Sequence, residues 1–389
     1  MFKRFSLIAM AVVLMAALAL AGCGQKEAQK TTEESDVIKI GVYEPMTGAS
    51  AAGGQMTVEG IELANEMYPE VLGKKIQLVI VDNKTDKTEA ANAVARLIEK
   101  DKVSVIIGSY GSSLSMSGGQ VAKDAGVPVV GCSPTNPLVT LDNDYYFRVC
   151  FIDPFQGKVM AKYAYETLKA KTAAIIMDIS NDYSVGLSNF FKKAFIEYTG
   201  DEKSIVAEMN YKTGDQDFTA QLTTIKELKP DVVFAPGNYG ESALLIKQAR
   251  ELGIDSKFLG GDTWEAPEFI EIGGDAVEGV AFSTHYTEEA PVTEVSEEFL
   301  NAYKNKYGGK EANAFAALGF DAYLVARDAI ERAGSADPKA IRDALSQTKD
   351  FKGATGIITL DENGDANKSA VIKKVEGGKF VFVSVVEPE

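Results

Sequence analysis

The chain has 389 residues, 46% of them hydrophobic, with 40 basic side chains against 56 acidic ones. That length exceeds what one hydrophobic core usually serves, so two domains are expected. A formal net charge of −16 repels phosphate backbones and anionic lipid headgroups, which argues against nucleic-acid binding or a basic membrane-contact face and suits a monomer.

At the N-terminus, Lys3-Arg4 precede 16 uncharged, mostly apolar residues from Leu7 to Gly22, which end in Leu20-Ala21-Gly22-Cys23. A basic start, an apolar run and small residues before a cleavage point make an export signal. The cysteine that follows makes it a lipoprotein signal, with Cys23 the lipidated first residue of the mature chain. The run is shorter than the ~20 residues a spanning helix needs. Loss of residues 1–22 removes two positive charges and takes the net charge to −18. Residues 23–36 contain no aromatic or large aliphatic side chain and are expected to be a flexible linker. The body is therefore expected outside the cytoplasm, tethered to a membrane.

Short β-branched runs then alternate with helical patterns. Strands are predicted at 38–42, 76–81, 103–107 and 127–130, with helices at 55–67, 87–100 and 114–124. The pattern restarts with strands at 173–177, 205–209, 232–235, 258–260 and 280–282, and helices at 155–169, 184–198, 216–228, 241–252 and 266–272. Helices at 294–306, 313–333 and 338–347 follow. Strand-like pieces at 357–360, 371–375 and 380–385 close the chain, with Asn363-Gly364 as a turn signal. Apolar strands separated by helices of 10–15 residues indicate buried parallel strands in βαβ units. The predicted architecture is α/β, two doubly wound lobes, with ligands beyond the carboxyl ends of the strands.

Those ends carry the polar chemistry. Gly108-Ser109-Tyr110-Gly111-Ser112-Ser113 runs from a strand into a helix, whose first free N–H groups attract an anion. Ser133-Pro134-Thr135 follows another strand and offers two more hydroxyls in a stiffened loop. In the second unit, Asp178 to Tyr183, Gly237 to Gly240 with Tyr239, and Gly260 to Trp264 with Asp262 combine an acid with aromatic rings, which suits an ammonium. Capping and packing alone also account for each feature separately; together they suggest a zwitterion held between two units. Cys132 and Cys150 sit in or beside apolar runs where a small thiol packs well, and pairing is the alternative.

In this order, IKIGVYEPMTG at 38–48, VIIGSYGSS at 105–113, SPTNPLVT at 133–140, YYFRVCFIDPFQG at 145–157, DISNDYSVG at 178–186, GGDTWEAPEF at 260–269 and AFAALGFDAY at 314–323 resemble the branched-chain and related amino-acid-binding proteins of ABC importers, with the type I periplasmic-binding fold. The resemblance implies two lobes joined by three crossings, near 151–154, 283–286 and 355–358. Lobe 1 would hold 37–152 and 285–355, and lobe 2 would hold 153–284 and 356–389. It implies that Ser112, Ser113, Ser133, Pro134 and Thr135 cradle the ligand on lobe 1. Asp262 would pair with the ammonium, Tyr183 and Tyr239 would close over it, and Tyr43, Trp264 and Phe315 would line the side-chain pocket. Partners would be a free amino acid and the permease and ATPase subunits of an importer; no cofactor or metal is expected. Three departures stand out: the small run Ala51-Ala52-Gly53-Gly54 replaces an aromatic, an aspartate stands where some relatives have glutamate, and Tyr43-Glu44 is expected near the cleft mouth.

A hydrolase reading fails for want of a base, since the chain has one histidine, His285, expected at a crossing as a hinge or surface residue. No nucleophile elbow, P-loop, zinc spacing or dinucleotide fingerprint occurs. Two alternatives share the fold: a sensor that signals to a partner, and an importer component for amides or urea.

Overall fold

The computed structural model describes residues 37–388; the expected export signal, Cys23 and the expected linker lie outside the described residues. Two sheets organise the body. The first has the order β2-β3-β1-β4-β5-β6, built from β1 (Val37–Glu44), β2 (Glu70–Val71), β3 (Lys74–Asp82), β4 (Val105–Ile107), β5 (Val129–Gly131) and β6 (Tyr146–Arg148). All its pairings are parallel except β2 with β3. Helices α1 (Ala51–Met67), α2 (Lys87–Arg96) and α3 (Ser112–Ala125) provide the crossovers.

The second sheet has the order β15-β14-β11-β10-β9-β7-β8. It comprises β7 (Ala173–Asp178), β8 (Ile205–Tyr211), β9 (Val232–Phe234), β10 (Lys257–Gly260), β11 (Ala281–Thr284), β14 (Ala370–Glu376) and β15 (Lys379–Val386). The last two pair antiparallel, β14 on β11 and β15 on β14. Its helices are α4 (Asp153–Lys162), α5 (Asp182–Thr199), α6 (Thr219–Leu228), α7 (Tyr239–Glu251) and α8 (Pro267–Gly273). Both sheets are mostly parallel, so their carboxyl ends can carry the site.

After β11 the chain returns to the first sheet. Helices α9 (Glu294–Lys306), α10 (Ala314–Ala333) and α11 (Pro338–Leu345) precede the small pair β12 (Phe351–Gly353) and β13 (Gly356–Ile358). Helix α10 is the centre of the lobe 1 core: Ala317, Leu318, Phe320 and Tyr323 pack with Ile40, Ile61, Val105 and Val130. Its ends follow from capping. Asn313 accepts from the Ala316 N–H, and Gly334 ends it with φ +59°.

The third crossing corrects the expected boundary at 355–358. Residues 356–366 remain with lobe 1, because Ile358, Leu360 and Ala366 are buried in its core. The Gly364 carbonyl accepts from Arg148 N, and the turn that carries Gly364 supplies Asp365 to Arg148. The chain passes to lobe 2 only between Ala366 and β14. Lys368 pins that passage: its buried ammonium reaches Thr355 and lies 4.0 Å from the Asp321 carboxylate on α10.

Candidate ligand cleft between the lobes

On lobe 1, α3 starts at Ser112 directly after β4 and the 108–111 loop. Ser112 is buried, and its Oγ accepts from the Asn136 N–H at 3.2 Å, which ties the start of α3 to the loop after β5. That loop is shaped by Arg148. The guanidinium is fully buried, donates from Nε to Asp365 at 2.6 Å and from Nη1 to the carbonyls of Pro134 and Asn136 at 2.7 Å each, and reaches Thr140 through Nη2. A planar donor fork that binds two carbonyls and a carboxylate fixes the loop more firmly than a flexible ammonium would. Pro134 thus acts through its carbonyl, which also accepts from the Cys150 thiol. Both Cys132 and Cys150 are free and buried, and burial pushes the Cys150 thiol up to about 12.

Held this way, the loop presents Ser133 Oγ and Thr135 Oγ1 as buried hydroxyls without a hydrogen-bond partner. Thr135 Oγ1 lies beside the equally buried Asp153 carboxyl, yet the two close no bond of good geometry. Burial pushes Asp153 well above the usual carboxylate range, with the neighbouring Asp262 adding to the effect. Unpaired buried polar atoms cost about 1–3 kcal/mol each, and this loop carries two such hydroxyls.

On lobe 2, Asp262 follows β10 in a short 3-10 turn and is 2% exposed. Three donors converge on it. Gln156 Nε2 and Tyr183 Oη donate to Oδ1 at 2.7 and 2.8 Å, and His285 Nε2 lies 3.2 Å from Oδ2. Gly261 makes this convergence possible. A Cβ there would fall 2.2 Å from the Tyr183 hydroxyl and 2.9 Å from Gln156 Nε2. Burial, and then the neighbouring Asp262, push the Tyr183 phenol well above its ordinary value, so it stays a donor.

The walls are joined across the cleft. Asp182, at the start of α5, accepts from the Ser113 hydroxyl at 2.7 Å and from Lys87 at 3.0 Å, and its carbonyl accepts from Asn136 Nδ2 at 2.7 Å. Burial opposes ionisation of Asp182, but Ser113 and Lys87 outweigh it and hold the acid below its ordinary value. On the other flank, Asn238 donates to the Ala49 carbonyl and accepts from the Tyr110 hydroxyl, while Tyr239 Oη accepts from the Ala52 N–H at 3.2 Å. Ser113 thus makes a cross-cleft contact, since its hydroxyl both donates to Asp182 and accepts from the Asp182 N–H.

The aromatic assignments divide. Phe315 is buried and meets Tyr110 edge-on, centroids 5.0 Å apart. Tyr110, which the sequence reading left unassigned, fills the space over the small 51–54 run: a Cβ on Gly53 would fall 2.2 Å from its ring. Trp264 packs in the same cluster, stacked on Phe269 at 4.8 Å in lobe 2, with its Nε1 buried and unpartnered. Tyr43 is a correction. Its side of β1 faces α2 and α3, where it packs with Val94 and Leu114 and bonds Tyr146, so it is core and not pocket. Glu44 is likewise buried and not at the mouth. Its Oε2 accepts from the Tyr110 N–H at 2.6 Å, and burial pushes its pKa up to about 8.

Sequence reasoning also missed the roles of Arg148, Gln156 and His285. His285 is no surface residue: it is buried, stacked on Phe151 with centroids 3.9 Å apart, and paired with Asp262. Cavity size alone does not find the cleft. A groove of about 510 Å³ lies between α4 and β15, whereas the cavity between Ser113 and Asn181 measures about 110 Å³ and is lined by none of Ser133, Thr135 and Asp262. Among the described residues no helix is long and apolar enough to cross a membrane, and no acidic, His or Cys cluster is arranged to hold a metal.

Comparisons with known proteins identify the family. A leucine-, isoleucine-, valine-, threonine- and alanine-binding protein of Pseudomonas aeruginosa is 31% identical over 90% of this chain and 92% of its own length. The leucine binding protein LivK of Thermotoga maritima superposes with a TM-score of 0.87 at 48% identity, over 90% of this chain and 99% of that one. The branched-chain amino acid transporter substrate binding protein LivJ of Streptococcus pneumoniae, solved with isoleucine, gives 0.84 at 33% identity, over 90% and 100%. The family model described as periplasmic binding protein matches residues 37–379, and the chain belongs to that family.

Proposed function

We infer that this chain captures a free amino acid, branched-chain or close to it, and hands it to the permease and ATPase subunits of an ABC importer. Lipid on Cys23 would hold it at the outer face of a membrane, as a monomer. The observation that carries the reading is the pairing of unlike walls. Unpartnered hydroxyls and the start of α3 stand on lobe 1, and an oriented carboxylate stands on lobe 2. An α-carboxylate would take Ser133, Thr135 and the first N–H groups of α3. The α-ammonium would take Asp262, and the side chain would lie toward Phe315 and Tyr110. Closure adds the second set of contacts to the first, so the ligand favours the closed form.

A thermal-shift screen of the common amino acids and small amides on the purified chain tests this reading. Leucine, isoleucine or valine at many times its Kd should raise the Tm by several degrees. A shift with amides or urea and none with amino acids would refute it.

A further inference from the structure

Two buried lysines tie the third crossing to one helix of lobe 1. Lys368 lies 4.0 Å from Asp321 on α10, and Lys373, on β14, donates to Glu265 Oε1 at 2.9 Å. Glu265 belongs to lobe 2, between the turn that carries Asp262 and α8, and is 3% exposed. Its Oε1 also accepts from the Ala314 N–H at 3.3 Å, and its Oε2 accepts from Thr284, the last residue of β11. Ala314 is the first residue of α10, and no carbonyl of the helix can take its N–H. A negative charge suits that end of a helix. One carboxylate therefore gathers a lobe 1 helix, the strand that leads into the second crossing and the strand that follows the third. The Glu265 N–H donates to the Asp262 carbonyl at 3.0 Å, so the two acids share one short, closed turn. Phe315 directly follows Ala314 and meets Tyr110. Glu265 lines a groove of about 520 Å³ with Glu288, Lys310, Asn313 and Lys373, and none of Ser133, Thr135 and Asp262 lines it.

We propose that Glu265 is a positioning residue for capture: it docks the start of α10, and Phe315 with it, against the turn of Asp262, and so slows reopening of the cleft around a bound amino acid. The inference rests on the amino-acid reading of the cleft. The docking contact joins the two lobes, so it is complete only when they are closed. Its loss raises the rate of dissociation, while the open form still receives ligand at the same rate. Glutamine at this position keeps the shape and one acceptor oxygen, but it lacks the charge that Lys373 and the helix end share.

The test measures leucine affinity by calorimetry and the release of radiolabelled leucine by rapid filtration after an unlabelled chase, both on the full chain. The association rate follows as the ratio of release rate to Kd. Glu265→Gln should release leucine roughly ten- to hundredfold faster, as expected for loss of a charged hydrogen-bond partner, with the association rate unchanged. Ala314→Pro removes the donor instead. Proline is tolerated at the first helical position, and Asn313 before it is already extended, with φ −113° and ψ 166°. This variant should also release leucine faster, and it decides the matter if Glu265→Gln does not fold. A purely structural role would lower the Tm and leave release from the folded fraction unchanged. Unchanged release in either folded variant, or an affinity loss carried by slower association, would overturn this inference alone. No leucine binding by the unaltered chain would overturn the amino-acid reading as well.

Discussion

On the lobe 1 wall the buried hydroxyls of Ser133 and Thr135 have no partner, whereas on the lobe 2 wall Gln156, Tyr183 and His285 are already committed to Asp262. One wall is held from behind and left open at the front: Arg148 and Asp365 fix the 134–140 segment through the Pro134 and Asn136 carbonyls and the Thr140 hydroxyl, and leave those of Ser133 and Thr135 free. The other is held at the charged group itself. The two designs suit two ends of a ligand. On the proposed reading an anion would meet several weak neutral donors, and a cation one acid whose geometry is set in advance. Loss of the acid should therefore be far more damaging than loss of any single hydroxyl.

The largest expected effect follows. On the proposed reading, Asp262→Ala removes the counter-charge of a buried ammonium, which costs about 3–5 kcal/mol, a loss of roughly two to four orders of magnitude in affinity. Thr135→Val removes one donor among several and should cost about 0.5–1.5 kcal/mol, roughly tenfold at most. Calorimetry on both variants would break the comparison if the two losses were equal.

Arg148→Met tests whether lobe 1 is braced from behind. It leaves Asp365 buried without its partner and frees the Pro134 and Asn136 carbonyls, at about 3–5 kcal/mol of stability. The Tm should fall by many degrees, and affinity should fall with it. A normal Tm with weakened binding would move Arg148 from brace to ligand contact.

A further prediction concerns pH. Glu44 is raised from 4.5 to about 8 by burial. The folded chain therefore keeps a proton that the unfolded chain loses between those values. This contribution to stability is full below about 4.5 and is lost as pH rises through about 8. Melts of Glu44→Gln from about pH 5 to about pH 8 should fall less steeply with pH than those of the unaltered chain. Identical slopes would show that Glu44 does not hold its proton.

Much of the fold was legible because its signals are local. Helix α9 begins and ends where it was predicted, since Thr293 and Ser296 form a capping box and basic residues fill the last turn. Helix α1 begins four residues earlier than expected. Gly53 and Gly54 read as a loop, but Tyr110 and the Pro45 carbonyl press so closely on them that a Cβ would fall 2.2 and 2.1 Å away. Strand β6 was missed because three residues ending in a buried arginine give no periodicity. In the site, Asp262 and the two hydroxyls stood at strand ends where a motif search looks. His285 and Arg148 were not legible, because their roles depend on partners 23 and 217 residues away. Tyr43 misled, since its position next to a strand end does not reveal which face of the sheet it joins.

The central claim is that each end of the ligand is gripped by a different wall, and it is tested most directly with altered ligands. Affinities of leucine, N-acetyl-leucine and leucinamide should be measured on the same protein under the same conditions. Masking the ammonium should reduce affinity by a hundredfold or more, on the order of the penalty for an unpaired buried charge, and masking the carboxylate should also weaken binding. If N-acetyl-leucine bound as tightly as leucine, Asp262 would not be the ammonium partner and the account would fail.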